Sequence, residues 1–369
     1  MLRILALGDA HFTKDNTIEI DAYLTALSKF LAEHADEIDI IVSMGDVLHT
    51  MSRIHTVPLN LAVKYFRMLT IKPLYLIVGN HDMVSNWTFL TEDHWLNAVK
   101  YWQGVTVIDN VVIETINQVK IVFCPYVPDS RVIEALNTKG DEWKNADAIF
   151  SHVSVKGANT GNMIMKDCDE WKAEYPPLIS GHIHLPQKIG SNVYYTGSIM
   201  QVTTDEASNK RIFSITIKPQ NKDQTKLIVK EINLYLPRRE RLYIEMEDIE
   251  EFKFPSEPNV KYTLYINANK EDFRSFLKGS GYQRLLKFPQ LDRGEQGIKF
   301  KARQEEINES RQRVKELKGT KVQRFNDLLL QSVERENDPL LTSLYNHIVN
   351  DVESDCSDPD GSFIISSRK

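Results

Sequence analysis

The sequence predicts an α/β protein whose first half is laid on parallel strands. Short apolar runs at Leu2 to Leu7, Ile38 to Ser43 and Pro73 to Val78 alternate with stretches of helical period at 18–34 and 58–69. Strands and helices alternating in this order pair in parallel, through right-handed crossovers. A second observation is where the runs stop. Those three, with Ala146 to Phe150 and Pro177 to Ser180, end in side chains able to bind a metal ion: Asp9 and His11, Asp46, Asn80, His152, and His182 with His184. Glycine stands at four of the five breaks, as Gly8, Gly45, Gly79 and Gly181, where the chain needs a tight exit from its strand. Ligands and catalysts in open α/β sheets gather at the carboxyl ends of strands.

The elements follow in order. The helix at 18–34 rests on Ile20, Leu24, Leu27, Phe30 and Leu31. The helix at 58–69 has Pro58 in its first turn, where a missing N–H costs nothing. A helical stretch is expected around 92–102, strands at 105–108, 111–116 and 119–123, and a short helix from Ser130 to Leu136. The loop at 154–176 is long enough to be functional or mobile. Val193 to Thr196 reads as a strand, Gly197-Ser198 as a turn, and 211–217 and 227–235 as strands.

The character changes near Leu236-Pro237-Arg238-Arg239. Leu242 to Met246 and Tyr262 to Asn267 alternate like strands, with a helix near 270–278 and a further run at 282–288. From about Lys299 the pattern turns helical and charged. Between Gln296 and Phe325 nine Lys/Arg stand against four Glu, by default a solvated helix face, functionally a surface for DNA phosphates or a partner's coiled coil. Apolar stripes follow at 321–333 (Val322, Phe325, Leu328, Leu329, Val333) and 340–352 (Leu340, Leu341, Leu344, Tyr345, Ile348). They serve intrachain packing or partner binding. Asp351 to Lys369 is acidic and then Ser-rich, a composition that predicts disorder.

A chain of 369 residues is expected to hold two or more domains. At 42% hydrophobic and 26% charged it reads as soluble and globular. The N-terminal apolar run ends too early for a signal peptide, and no run reaches membrane-spanning length. Cys124, Cys168 and Cys356 are scattered, which argues against a disulfide framework and a cysteine zinc site and fits a reducing interior. The net charge of −6 gives no overall electrostatic case for nucleic acid, so any such case is local.

Asp9, His11, Asp46, Asn80, His152, His182 and His184 exceed the roughly four ligands that one tetrahedral ion takes. They fit two ions that share a carboxylate, and their mixed donors favour Mn²⁺, Fe²⁺ or Zn²⁺ over Ca²⁺. Two close divalent ions clamp the attacking and leaving oxygens of a phosphoryl displacement and make hydroxide available near neutral pH. His81 is left over. It cannot easily point the same way as Asn80, and it suits a general acid or charge stabiliser at the phosphate. Turn chemistry alone would explain Asn80-His81-Asp82, but it does not explain five such strand endings. His34, His55 and His94 read as surface or helix residues, and Trp87, Trp95 and Trp102 as core or interface anchors.

The blocks Asp9-x-His11, Gly45-Asp46, Gly79-Asn80-His81-Asp82, a lone His152 and Gly181-His182-x-His184 stand in one order across the first half of the chain. This set resembles the calcineurin-like metallophosphoesterase superfamily. The resemblance implies an α/β fold, α+β overall: a four-layer sandwich of two mixed β-sheets flanked by helices, with a small α/β capping module and C-terminal helices. It implies that Asp9, His11, Asp46 and His184 hold one ion and Asp46, Asn80, His152 and His182 the other, with Asp46 bridging. His81 is then the catalytic histidine, with Asp82 orienting it. The implied domains are a nuclease core at 1–236, a capping or DNA-binding module at 237–295, a helical partner-binding region at 296–352 and a tail at 353–369.

Protein Ser/Thr phosphatases continue the second block as G-D-x-x-D-R-G. Here it reads Gly45-Asp46-Val47-Leu48-His49-Thr50, which looks like the SbcD-type nucleases, as does Tyr195-Thr196-Gly197-Ser198. The layout is most similar to the short recombination endonuclease subunit of T4-like phages. Two departures stand out: Ser151 precedes His152 where glycine is common, and the segment after His49 lacks the usual serine-proline ending. His49 takes the place of a DNA-contacting histidine; a solvent-facing loop histidine is the equal alternative. The resemblance implies a Mn²⁺-dependent DNA nuclease, exonuclease on duplex ends and endonuclease on single strands, working in recombination, repair and replication. Its implied partners are DNA and an SbcC-like coiled-coil ATPase docked by the C-terminal helices, with a homodimer expected. The implied location is the cytoplasm, the host cell's if the chain is phage-encoded. The alternative on the same core is a stand-alone metallophosphatase or cyclic-nucleotide phosphodiesterase.

Overall fold

Alternation along the strands decides the layering. In β1 (Leu2–Leu7), Leu5 and Leu7 join one apolar cluster and Ile4 and Ala6 another, because successive strand side chains point to opposite faces. The split recurs in β2 (Ile40–Ser43) and β3 (Leu74–Ile77): Ile41, Leu74 and Leu76 face one way, Ile40, Val42, Tyr75 and Ile77 the other. The first cluster takes the stripes of α1 (Thr17–His34) and α2 (Thr56–Leu69).

The computed structural model describes residues 1–302 apart from 52, 203–205, 207–209, 219–225 and 293–296. The basic stretch beyond 302, the striped segments at 321–333 and 340–352 and the tail at 353–369 lie outside the described residues. Next along the chain come β4 (Val105–Ile108), β5 (Val112–Ile116), β6 (Val119–Cys124), α3 (Val132–Asn137), β7 (Ala148–Ser151), β8 (Leu178–Ser180), β9 (Gln187–Ile189), β10 (Val193–Tyr195), β11 (Ile212–Lys218) and β12 (Lys226–Ile232). One six-stranded sheet runs β12-β11-β1-β2-β3-β4 and the other β5-β6-β7-β8-β10-β9. Both are mixed: β1 to β4 pair in parallel while β11 joins β1 antiparallel, and β6, β7 and β8 are parallel while β5 joins β6 antiparallel. Ile121 and Phe123 face the cluster between the sheets, where the Phe123 and Tyr75 rings stack with centroids 4.6 Å apart. Val122 and Cys124 face the third cluster, with α3 and Trp143. Helices, two mixed sheets and a further helix therefore make four layers.

Register places the site. Leu7 lies opposite Ser43 and Ser43 opposite Leu76, so β1, β2 and β3 end level. Ser151 and Ser180 pair likewise at the ends of β7 and β8. The five strands that deliver the candidate ligands thus finish at two level edges.

Several expectations are corrected. The stretch at 92–102 holds only a 3₁₀ turn at Trp95–Val99. Its periodicity is overridden because the Trp95 amide and indole both bond Asp82, and His94 and Lys100 both reach Asp109. His94 is buried rather than at the surface. Trp95 and Trp102 pack on the first cluster, but Trp87 is 84% exposed and anchors no core. The charged stretch from Lys299 opens as a strand, β15 (Ile298–Ala302), after β13 (Arg238–Glu245), β14 (Val260–Ala268), α4 (Lys270–Phe276) and α5 (Ser280–Leu285). Its first residues alternate Ile298, Phe300 and Ala302 with lysines, and that period of two belongs to a strand.

The chain divides into two compact units. The first comprises Met1–Tyr243, Glu251–Leu264 and Arg284–Lys299. Within it, Arg239 pairs with Glu19 and Asp292, and its amide donates to the Gln201 side chain. The second includes Ile244–Glu250 and Tyr265–Gln283; there Asn269 caps α4 by accepting from the Asp272 amide at 2.8 Å. Among the described residues no helix is long and apolar enough to cross a membrane.

Removing the ring that bridges the two sheets is the direct check on this layering. Phe123→Ala is expected to cost about 3–5 kcal/mol, the usual range for emptying an aromatic site in a packed core. Denaturant unfolding should show it, and a loss under ~1 kcal/mol would place Phe123 outside the load between the sheets.

Candidate metal centre

The strand ends converge because their loops are tied to one another. The Asp46 carbonyl oxygen accepts from the amides of Ala10 and His11, which holds the loop after β1 against the loop after β2. The His81 amide donates to Asp46 Oδ1 at 2.8 Å, adding the loop after β3. The His182 amide donates to Asp9 Oδ2 at 2.9 Å, which brings in the loop after β8. His152 Nδ1 donates to the Met44 carbonyl oxygen at 2.7 Å. Three of these loop residues have left-handed backbones: His11 (φ 45°), Asp46 (φ 50°) and His182 (φ 77°). Such conformations cost a side-chain-bearing residue energy and tend to mark functional positions.

Glycine at two breaks makes room for carboxylates. A Cβ on Gly79 would lie 2.2 Å from Asp46 Oδ1, and one on Gly181 would lie 2.5 Å from Asp9 Oδ1. Neither contact is possible for a real side chain.

The eight side chains proposed from sequence as ligands and catalytic histidine come together. Asp9, His11 and His184 form one trio, and Asp46, His152 and His182 a second; within each, the candidate donor atoms lie within 4.8 Å of one another. Asp46 Oδ2 stands between them, 3.2 Å from His152 Nε2 and 3.5 Å from His11 Nε2. Asn80 Oδ1 joins the second trio, 2.8 Å from His182 Nδ1 and 3.2 Å from His152 Nε2.

This donor set fits divalent cations. Asp9 Oδ1 is buried and has no hydrogen-bond partner among the described residues, although buried polar atoms nearly always have one. His11 Nε2 and His184 Nε2 face each other at 2.8 Å. With Nδ1–H on His184 fixed by Glu206 at 2.7 Å, its Nε2 presents a lone pair. His152 is fixed in the same sense by Met44. A divalent cation placed among these nitrogens would take up the lone pairs of imidazoles whose outer N–H groups are already fixed.

Charge in the site is strongly perturbed. Burial pushes the Asp9 carboxyl up to about 6, against the pull of His152 and His184. Burial acts on Asp46 in the same direction, but His152 and His11 outweigh it and hold Asp46 well below the carboxylate range. His152, despite burial, is raised to about 9 by Asp46 and Asp9. Burial and the neighbouring His152 push His182 down to about 3.

Asp82 has a different place from the one expected. Its two oxygens accept from the amides of Asp46 (2.8 Å), Gly79 (3.1 Å) and Val47 (3.2 Å) and from the Trp95 indole (2.8 Å). No hydrogen bond joins it to the His81 ring. The ring is held instead by the His49 carbonyl oxygen, 2.5 Å from His81 Nδ1. His49 itself stacks on His81 with centroids 5.3 Å apart, and its Nδ1 lies 3.2 Å from His11 Nδ1.

Sequence reading missed Tyr126, whose ring lies 5.5 Å from His182, and the group Ser198, Glu206 and Lys210 behind His184. Glu206 and Lys210 sit four apart in a polar stretch, which carries no ligand spacing to give them away.

Comparison with known proteins agrees with this geometry. The family model described as calcineurin-like phosphoesterase matches residues 2–186, half of the chain. A relative called "Putative phosphoesterase 078R", from Invertebrate iridescent virus 3, is 32% identical over 346 residues, 92% of this chain and 94% of its own length. A second, "Putative phosphoesterase 244L" of Invertebrate iridescent virus 6, is 33% identical over 75% of this chain and 97% of its own length. The first likeness therefore continues well past the matched core.

Asp82→Asn tests the knot beneath the site. An amide in that place turns a donor toward backbone N–H groups, so the variant should lose about 1–3 kcal/mol and take up less metal. Thermal melting of the apo-protein and metal analysis read the two effects; unchanged values in both would mean Asp82 is not what ties the loops.

Proposed function

Because this chain belongs to the calcineurin-like phosphoesterase family, we propose that its hydrolysis of phosphate esters is directed at DNA, as a nuclease of the SbcD type. The observation that supports this is His49. It stands where the protein phosphatases carry the start of D-R-G. It touches both His11 and His81 and remains partly exposed, able to meet a phosphate that flanks the reacting one.

Asp9, His11, Asp46 and His184 would hold one divalent ion, and Asp46, Asn80, His152 and His182 the other. Of the metals suited to imidazole, carboxylate and amide together, Mn²⁺ is the one we assign. Bound there, the ions would supply Lewis acidity at the phosphoryl oxygens and lower the pKa of water. The chain supplies the rest. His81 Nδ1–H donates to the His49 carbonyl oxygen, which fixes the ring and leaves Nε2 to face substrate. Protonated on Nε2, the ring donates to the phosphate or to the departing oxygen. Asp82 acts on His81 indirectly, by holding the loops that carry Asp46 and Gly79.

The test uses purified protein with Mn²⁺, labelled duplex and single-stranded DNA, and a small phosphodiester as control. Cleavage of both DNAs is expected, with chelator abolishing it and His81→Gln lowering the rate about 10²–10⁴-fold while metal content holds. Turnover of the small diester without DNA cleavage would instead support a stand-alone phosphodiesterase. Metal loss in His81→Gln would mean that His81 is a ligand.

We extend the reading to partners: a coiled-coil ATPase of the SbcC type, met by the striped segments beyond residue 302, and a second copy of the chain. The same reading takes 1–236 as the nuclease core and 237–295 as a capping module. All candidate ligands precede residue 185, so the chemistry does not need the C-terminal region. Truncation after Ala302, which keeps β15, should leave Mn²⁺-dependent activity on short DNA and abolish binding to the ATPase coiled coil. An insoluble or metal-free truncated protein would place those stripes in the catalytic core.

A further inference from the structure

Behind His184 lies a polar group that no ligand role accounts for. Glu206 Oε1 accepts from His184 Nδ1 at 2.7 Å. Its other oxygen takes three donors: Lys210 Nζ at 2.6 Å, Ser198 Oγ at 3.0 Å and the Val202 amide at 3.2 Å. Lys210 is buried, 6% exposed, and its ammonium also donates to Ser198 Oγ at 2.6 Å and reaches the His184 carbonyl oxygen at 3.4 Å. A buried ammonium is expensive unless it is paired and hydrogen-bonded. Here it grips both ends of one unit, the carboxylate on the His184 ring and the His184 backbone.

The group is also tied to the first ligand of the same trio. Asp9 and Ser198 form a parallel bridge, with the Asp9 amide donating to Gly197 O at 3.2 Å and the Ile199 amide to Asp9 O at 3.0 Å. It therefore fixes two of the three side chains of the Asp9–His11–His184 trio. In the second trio the outer nitrogen of His152 meets a neutral carbonyl oxygen, that of Met44, instead of a carboxylate. An anionic partner fixes the tautomer of a ligating imidazole and raises its basicity more than a neutral one does.

We propose that Glu206, clamped by Lys210 and Ser198, is the positioning residue of His184, and that it tightens the ion held by Asp9, His11 and His184 selectively over the ion held by Asp46, Asn80, His152 and His182. This rests on the two-ion reading above. The two are tested apart by titrating the full-length apo-protein with Mn²⁺ and counting ions by calorimetry. Wild type that never exceeds one ion overturns the two-ion reading. With two ions in wild type, Glu206→Gln should weaken one of them about 10–100-fold and leave the other unchanged. A general loss of structure could not produce that split.

Glu206→Gln leaves Lys210 without its anion and could misfold for that reason alone. The double variant Glu206→Gln/Lys210→Met removes both charges and keeps an acceptor for His184 Nδ1. It should melt as apo-protein near the wild-type temperature and still show the selective loss. Two unchanged affinities in the double variant, or equal weakening of both ions, overturn the proposal.

Discussion

The buried Asp82 carboxylate is the fixed point of this molecule. Four N–H donors converge on it, from Gly79, Asp46, Val47 and Trp95. They come from two loops and one short turn that share no secondary structure. Burial and the nearby Asp46 charge push the Asp82 carboxyl up to about 6, opposed by the Gly79 amide and the Trp95 indole. A carboxylate so placed is costly to bury and is retained because backbone amides beside it would otherwise be orphaned. Once these amides are held, the position of Asp46 follows, and from Asp46 the positions of His11 and His81.

Backbone strain reaches the candidate ligands themselves. His11, Asp46 and His182 each take a left-handed backbone, a conformation that costs on the order of 1–3 kcal/mol for a residue with a side chain. Each is over-determined by neighbours: the His11 amide donates to the Asp46 carbonyl, the Asp46 amide to Asp82 and the His182 amide to Asp9. A loop free to relax would turn these side chains away from one another. The two six-stranded sheets supply the rigidity, since their strands end level and their shared face is filled by Phe123, Phe150, Tyr75 and aliphatic neighbours.

Electrostatics divides the two trios. Asp46 lies among several imidazoles and stays ionised, whereas Asp9 is raised by burial and keeps one oxygen unmatched. A divalent cation answers both conditions, supplying charge to the one and a partner to the other. The His184 side of the site has its own counter-charges in Glu206 and Lys210, linked to Asp9 through Ser198. The site is thus an alternation of charges built outward from two carboxylates.

The blocks from Asp9 to His184 were legible because each ligand had to stand immediately after a buried strand, and short apolar runs closed by glycine announce such strands. The glycines were legible too, although their reason was not: a Cβ at Gly79 or Gly181 would strike a carboxylate from a different loop. The sequence by itself therefore determined the α/β layering and singled out the candidate ligands and the leftover histidine. Tertiary structure alone decided what holds them. Asp82 adjoins His81 in the chain, yet its oxygens serve the loops, and the His81 ring takes a carbonyl oxygen from His49 instead. Periodicity at 92–102 yielded to bonds with Asp82 and Asp109. Glu206 and Lys210 follow the last ligand by more than twenty residues. Their carboxylate and ammonium acquire meaning only when burial removes water and brings them against His184, Ser198, the Val202 amide and each other.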